Sequence, residues 1–288
     1  MQSEIDLFRP ETLQEALALL SKHAPDGKPL AGGTNLVVEL RDGHHKGKLL
    51  VDLTCLRELH GIRKENGSIV IGGRTTITDL LTHPLITEYG APLRESAAVF
   101  ANPLIRNRAT VAGNLVDASP AADTAPPLLA LGAEVELVGQ GSSRWVALDE
   151  FIVGVRKTTL QPDELLRSIR WNMPAGRSAG AFVKVGLRKA DAISVLSAAV
   201  MVTCDEAGIC TQARIALGAV APRPIRAGAA EAGLVGHPLH PDIIAEAAAL
   251  AAEAARPISD IRGTAAYRMR VTQVTIRRLL TQVGETLQ

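Results

Sequence analysis

Apolar and polar positions along the chain alternate in a way that predicts three runs of elements. Leu13, Ala16, Leu17 and Leu20 fall at i, i+3, i+4 and i+7, the stripe of an amphipathic helix over residues 10–23. Pro10 suits its first turn, and Pro25 and Gly27 end it. A short strand then enters a Gly-rich turn, LAGGTN at 30–35, and an apolar run at 36–40 starts a second helix. KLLVDL at 48–53 reads as a strand that closes a βαβ-like unit. The intervening DGHHKGK at 42–48 is a polar loop, and its adjacent His44 and His45 are poorly spaced to hold one metal.

A second α/β unit follows. Residues 68–72 form a strand, and Thr76 with Asp79 makes a capping box for a helix at 77–82. A helical region at 84–100 is interrupted near residues 90–92. Residues 134–138 and 143–147 alternate about a glycine tip and predict a hairpin, and 165–171 is a further strand. The tip, GQGSSR, lacks the last glycine of a dinucleotide fingerprint and lies between two strands, so no Rossmann site is expected. Residues 174–178 read as a linker. Strands at 179–185, 194–204 and 210–217 then precede helices at 225–232, 241–253 and 265–282, an α+β layer.

The chemistry concentrates in two stretches. TVAGNLVDASPAAD at 110–123 breaks at Gly113 and runs through small and polar residues to Asp123, and LAGGTN has the same character far upstream. Glycine lets a backbone come close to a ligand, and successive N–H groups in a turn form a concave anion site. Thr34, Thr110, Asn114 and Asp123 add side-chain hydrogen bonders for hydroxyls. Two such turns converging on one elongated phosphate ligand is the functional expectation. Two ordinary tight turns is the alternative. Arg106 and Arg108 lie nearby, suited to phosphate or to solvent alike.

AGGTN at 31–35, TVAGN at 110–114 and ASPAAD at 118–123 together resemble the FAD-binding, or medium, subunit of the molybdenum hydroxylases, the carbon monoxide dehydrogenase and xanthine dehydrogenase family. The resemblance continues through FVKVGLRKADAISV at 182–195 and RGTAAYRMRVTQVTIRRLL at 262–280, and so covers essentially the whole chain. It implies an α+β fold of two small α/β subdomains holding FAD, at 1–54 and 55–174, and a C-terminal domain at 175–288 with a three-stranded antiparallel sheet and helices. It implies FAD contacts at Ala31, Gly32, Gly33, Thr34, Asn35, Thr110, Val111, Ala112, Gly113, Asn114, Asp123, Leu165 and Lys184. Asp123 would lie at the ribityl–adenosine end. A cation at Lys184 would stabilise the anionic reduced flavin, unless it is only a solvated strand lysine. Arg188 and Asp191 are placed for a loop ion pair nearby. Where the family has two adjacent glycines this chain has Ala112–Gly113, tolerable at negative φ and costly at positive φ.

The resemblance also implies partners. Molybdopterin would reside on a large subunit and two [2Fe-2S] clusters on a small one, in a dimer of heterotrimers, with electrons leaving FAD for an external acceptor. No nucleophile, acid–base pair or phosphate-binding P-loop stands out, which fits a chain whose flavin does the redox chemistry. A free-standing FAD-dependent oxidase or dehydrogenase is the runner-up. It would need a substrate pocket with a base over the flavin, and two Trp, two Tyr and four Phe are few for that. A cofactor-free interaction module is the third reading, with Arg262, Arg268, Arg270, Arg277 and Arg278 as its docking face.

Composition narrows the classes further. The 288 residues carry a net charge of +1 and no polybasic block, so no nucleic-acid footprint is expected. Although 47% of residues are hydrophobic, no apolar run is long enough to span a bilayer, and the first residues lack a signal-peptide pattern, so a cytoplasmic chain is expected. Cys55, Cys204 and Cys210 have no metal-ligand spacing. Cys204 and Cys210 flank a turn-like DEAG and face each other across a hairpin as free thiols in this reading.

Overall fold

The computed structural model describes residues 5–43 and 49–288. His44 and His45 therefore lie outside the described residues. A parallel three-stranded sheet in the order β1–β3–β2 combines β1 (Asp6–Phe8), β2 (Gly27–Leu30) and β3 (Leu49–Asp52). Helix α1 (Leu13–His23) packs its Ala16–Leu17–Leu20 stripe on this sheet, and α2 (Leu36–Arg41) follows the first glycine stretch. The α1 boundary is set by Thr12 rather than by Pro10: Thr12 and Glu15 satisfy each other's backbone N–H groups in a capping box.

The second sheet is antiparallel, in the order β4–β5–β10–β6–β7. Its strands are β4 (Ile62–Glu65), β5 (Ser68–Gly72), β6 (Glu134–Gly139), β7 (Ser142–Ala147) and β10 (Leu165–Asn172). Period-two alternation sends Val135, Leu137, Ile169 and Trp171 inward, onto helices α3 (Ile77–Thr82), α4 (Pro84–Tyr89) and α5 (Ala91–Ala98). The fully buried Trp171 donates its indole N–H to the Tyr89 carbonyl at 3.0 Å. Glu134, Arg167 and Arg170 point to the other face, where Arg170 pairs with Glu134 at 2.8 Å and lies 3.8 Å over the Trp145 ring. The chain between β5 and β6 continues through α6 (Pro103–Arg106), α7 (Val111–Val116) and α8 (Ala125–Ala130). Between β7 and β10 come α9 (Leu148–Phe151) and a small hairpin, β8 (Ile152–Gly154) with β9 (Lys157–Thr158).

The last sheet contains β11 (Arg177–Gly186), β12 (Ser194–Cys204), β13 (Cys210–Gly218) and β14 (Ile225–Arg226). Helices α10 (Gly228–Leu234), α11 (Pro241–Ala254) and α12 (Ala265–Thr286) cover it. The two-residue β14 is a fourth strand where three were expected. It takes the first residues of the helix read at 225–232, because Ile225 and Arg226 pair with Leu217 and Ala216. Cys204 does face Cys210 across the hairpin, and both are buried free thiols. Burial pushes the Cys210 thiol up to about 11, so it stays protonated and unreactive at neutral pH.

Arg268 is not part of an exposed docking face. It is buried, donating from Nη1 to the Ala219 carbonyl at 2.7 Å and from Nη2 to Asp260 at 2.6 Å. Ala219 N–H in turn donates to the Pro120 carbonyl at 2.7 Å. The α12 arginine thus buttresses the segment that leads to Asp123.

Candidate functional site

The two glycine stretches do meet. A Cβ added to Gly32 would stand 1.9 Å from the Arg108 carbonyl oxygen and 3.1 Å from Ala109 Cα, so the first stretch lies directly on the backbone that precedes Thr110. Gly33 has a φ of 73°, the left-handed region that costs a side chain about 1 kcal/mol or more. Ala31, Gly32, Gly33 and Thr34 are half-buried and Asn35 is exposed. Among the described residues, none of the backbone N–H groups from Ala31 to Asn35 donates to a protein acceptor. Five unspent donors in one turn are groups of the kind that anionic oxygens accept from.

The second stretch differs from the expected turn. Residues 111–116 are the short helix α7, because the Thr110 hydroxyl caps Gly113 N–H at 3.1 Å. Its other early donors are also spent: Val111 N–H on the Thr75 carbonyl at 3.0 Å, Ala112 N–H on the Gly73 carbonyl at 3.1 Å, and Asn114 N–H on the Thr110 carbonyl at 3.0 Å. This stretch therefore offers side chains and shape rather than backbone donors. Helical backbone at Ala112 also removes any cost of alanine in place of glycine. Gly113 has no positive φ, and a Cβ there would press on Thr110 Oγ1 at 2.9 Å. Gly113→Ala should accordingly weaken the cap by about 1 kcal/mol, read as a small fall in unfolding midpoint with FAD still bound.

Asn114 reaches forward. Its Oδ1 accepts from Thr124 N–H at 3.2 Å and from the Thr124 hydroxyl at 2.6 Å, which leaves the amide NH₂ available. Asp123, one residue earlier, is buried and accepts from Lys184 Nζ at 2.6 Å and from the Ser194 hydroxyl at 2.8 Å. Its backbone carbonyl accepts from the Ser96 hydroxyl at 2.7 Å. Lys184 is thus not a solvated strand lysine: its side chain is 7% exposed and its charge is matched by Asp123. Burial pushes the Asp123 carboxyl above its ordinary value, and the attraction of Lys184 with hydrogen bonds from Lys184 and Ser194 pulls it part of the way back.

A raised carboxyl has a defined effect on stability. Its contribution is fully present below the unfolded value near 3.8 and is lost as pH rises through the folded value. Glu95 is also raised, by burial, although it accepts from Phe182 N–H at 2.6 Å. Stability measured against pH should therefore fall more gently above pH 4 in Asp123→Asn than in the native chain, when followed by denaturant midpoints.

The remaining expected positions separate. The Leu165 side chain is buried with Leu17, Leu59 and Val138, in the core under α1, away from Asp123 and Lys184. Arg106 holds the Phe100 carbonyl at 2.9 Å, which commits it to the end of α5, while Arg108 is exposed. Arg188 does not pair with the Asp191 carboxylate. It donates to the Asp191 backbone carbonyl, with Asp191 at a φ of 53°. Three contributors were missed in the sequence. Gly73 admits α7, since a Cβ there would lie 2.4 Å from the Leu166 carbonyl oxygen and 3.1 Å from Ala112 Cβ. Thr124 orients Asn114 and Ser194 orients Asp123. The only cue was Gly72–Gly73 at the end of an apolar strand.

The candidate residues thus offer free N–H donors at 31–35, the Asn114 amide, and the buried carboxylate–ammonium pair of Asp123 and Lys184. The donor set suits a diphosphate with polyhydroxyl arms, as in a flavin dinucleotide. Residues 3–172 match the family described as FAD binding domain in molybdopterin dehydrogenase, and residues 181–283 match the CO dehydrogenase flavoprotein C-terminal domain. The chain belongs to the FAD-binding subunits of the molybdenum hydroxylases.

Among its relatives, the nicotinate dehydrogenase FAD-subunit of Eubacterium barkeri is 32% identical, covering 99% of this chain and 98% of that protein. The carbon monoxide dehydrogenase medium chain of Afipia carboxidovorans is 35% identical, covering 95% and 94%. Among solved structures, a chain of the Cu,Mo-CO dehydrogenase superimposes with a TM-score of 0.94 at 34% identity, over 98% of each chain. A chain of quinoline 2-oxidoreductase from Pseudomonas putida 86 gives 0.90 at 30% identity, over 98% and 97%. The chain is therefore an oxidoreductase component that binds FAD, and its fold is the mixed α and β architecture of those subunits. Among the described residues, no helix is long and apolar enough to cross a membrane.

Proposed function

We propose that this chain is the electron-exit subunit of a cytoplasmic molybdenum hydroxylase. It would assemble with a large molybdopterin subunit and a small [2Fe-2S] subunit, as a dimer of heterotrimers. Bound FAD would supply a redox centre between the clusters of the small subunit and an external acceptor. The division into 1–54, 55–174 and 175–288 is part of the same proposal, with the first two segments holding the cofactor.

The observation that carries the reading is the run of unspent N–H groups from Ala31 to Asn35, pressed against Arg108–Ala109 through Gly32. In this reading the cradle takes the diphosphate oxygens, with the Thr34 hydroxyl beside it. Thr110, Val111, Ala112 and Gly113 shape the opposing wall, and Asn114 donates its amide to a hydroxyl. Asp123 retains a lone pair on each oxygen for a ribityl or ribose hydroxyl, while Lys184 and Ser194 fix its orientation. Lys184 acts on the flavin as half of a neutral pair, so its effect on the potential is smaller than that of a lone ammonium. Leu165 serves by packing, with its neighbour Leu166 presenting a carbonyl to Gly73.

The test is the flavin itself. Acid extraction of the purified chain or complex should release FAD, and not FMN, at one per chain. A chain that holds no flavin, purified alone or with its subunits, would defeat the proposal.

A further inference from the structure

Arg156 stands at the turn of the β8–β9 hairpin with a φ of 56°, a conformation that favours glycine or asparagine. Its N–H donates to the Ala118 carbonyl at 3.0 Å, just beyond α7. Its Nη1 bonds Glu39 Oε1 on α2 at 3.2 Å and also pairs with Asp117, the C-cap of α7. One guanidinium thus ties the helix that follows the Ala31–Asn35 cradle to the helix that follows Thr110.

Helix α2 has few other ties. It contributes no buried residue, and Val37 and Val38 are 43% and 51% exposed. Among the described residues, the bond from Arg156 to Glu39 is the only side-chain hydrogen bond that α2 makes. The Asp117 side chain is 13% exposed, the Glu39 side chain 37% and the Arg156 side chain 54%, so the bridge is shielded mainly on its Asp117 side.

We propose that Arg156 is a positioning residue for the flavin site: by bridging Glu39 and Asp117 it fixes α2 against α7, and so sets the span between the N–H cradle and Asn114. The inference rests on the FAD reading above. A different role for the same charge is long-range attraction of an anionic cofactor. The two roles differ in sign. If Arg156 acts by attraction, neutralising Glu39 or Asp117 strengthens the positive field and tightens FAD. If it acts by position, the same neutralisations loosen FAD.

The experiment titrates FAD into the flavin-stripped full chain, together with any subunits that accompany it, and follows flavin fluorescence. Arg156→Gly is the variant of choice because glycine suits the positive φ and leaves the turn relaxed. It should raise the FAD Kd about three- to tenfold. Glu39→Gln and Asp117→Asn should each raise it by about two- to fivefold. Arg156→Lys should recover part of the loss, and Arg156→Gly with Glu39→Gln should be no weaker than Arg156→Gly alone. An unchanged Kd in Arg156→Gly, or a tighter one in Glu39→Gln, overturns the positioning role while native binding keeps the FAD reading intact. No FAD binding by the native chain overturns both.

Discussion

Gly32→Ala should empty the proposed flavin site and leave the rest of the chain folded. The added methyl would lie 1.9 Å from the Arg108 carbonyl oxygen and 2.7 Å from its carbon, and both are backbone atoms that no rotamer change can move. The Ala31–Asn35 segment must therefore shift away from Arg108–Ala109 by more than 1 Å, roughly the shortfall from van der Waals contact. Forced overpacking of this kind costs about 1–3 kcal/mol, and the same shift misaligns every N–H of the cradle with its acceptor. FAD affinity should fall at least about a hundredfold, measured as flavin per chain after desalting. The core under β12, β13 and α12 does not touch Gly32, so its unfolding transition should persist. Gly228→Ala is the matched control, since nothing lies within 4 Å of a Cβ there. Full flavin content in Gly32→Ala would remove the cradle from the site.

Lys184→Met should cost about 3–5 kcal/mol of stability, because it leaves the Asp123 carboxylate buried beside a single neutral donor. Asp123→Asn should be milder, since an amide accepts from Ser194 and the lysine carries its own flexible stem. The double variant, with no charge left, should recover much of the loss, and a thermal-melt cycle measures the coupling. If Lys184→Met melts where the native chain does, the pair does not hold β11 to the Asp123 segment. Flavin loss should accompany both single variants, since Lys184→Met removes a bond that orients Asp123 and Asp123→Asn removes the carboxylate.

Much of the architecture is written in local signals. Strand β5 and helix α3 begin and end at the residues that their pattern marks, because Gly72, Thr76 and Asp79 punctuate an apolar run. The α1 stripe is equally plain. The elements that escape have weak local signals. Strand β4 reads Ile-Arg-Lys-Glu, three charged residues at a sheet edge, and β14 has two residues held only by β13. Helix α7 hides behind Gly113 and the β-branched Val111 and Val116, which weaken helix propensity; the Thr110 cap and its neighbours in tertiary space decide the conformation.

The site divides the same way. The cradle is legible because glycine leaves few explanations for Gly32–Gly33 before a helix. The Asp123–Lys184 pair is not, since it spans 61 positions and is made only when β11 packs beside the 118–123 segment. Ser194 and Thr124 are ordinary residues in sequence and become specific only through the atoms they orient. The resemblance supplied Leu165 and Lys184. The structure gives Lys184 a partner and puts the Leu165 side chain in a separate core.

The most direct test of the relay role is to purify this chain at native abundance from its source and count cofactors, metals and polypeptides per chain. One FAD is expected, with molybdenum and iron in a ratio of about one to four as two [2Fe-2S] clusters require, and two further polypeptides in equal amount. FAD on a chain that travels without metals or companions would contradict the relay and point to a free-standing flavoenzyme.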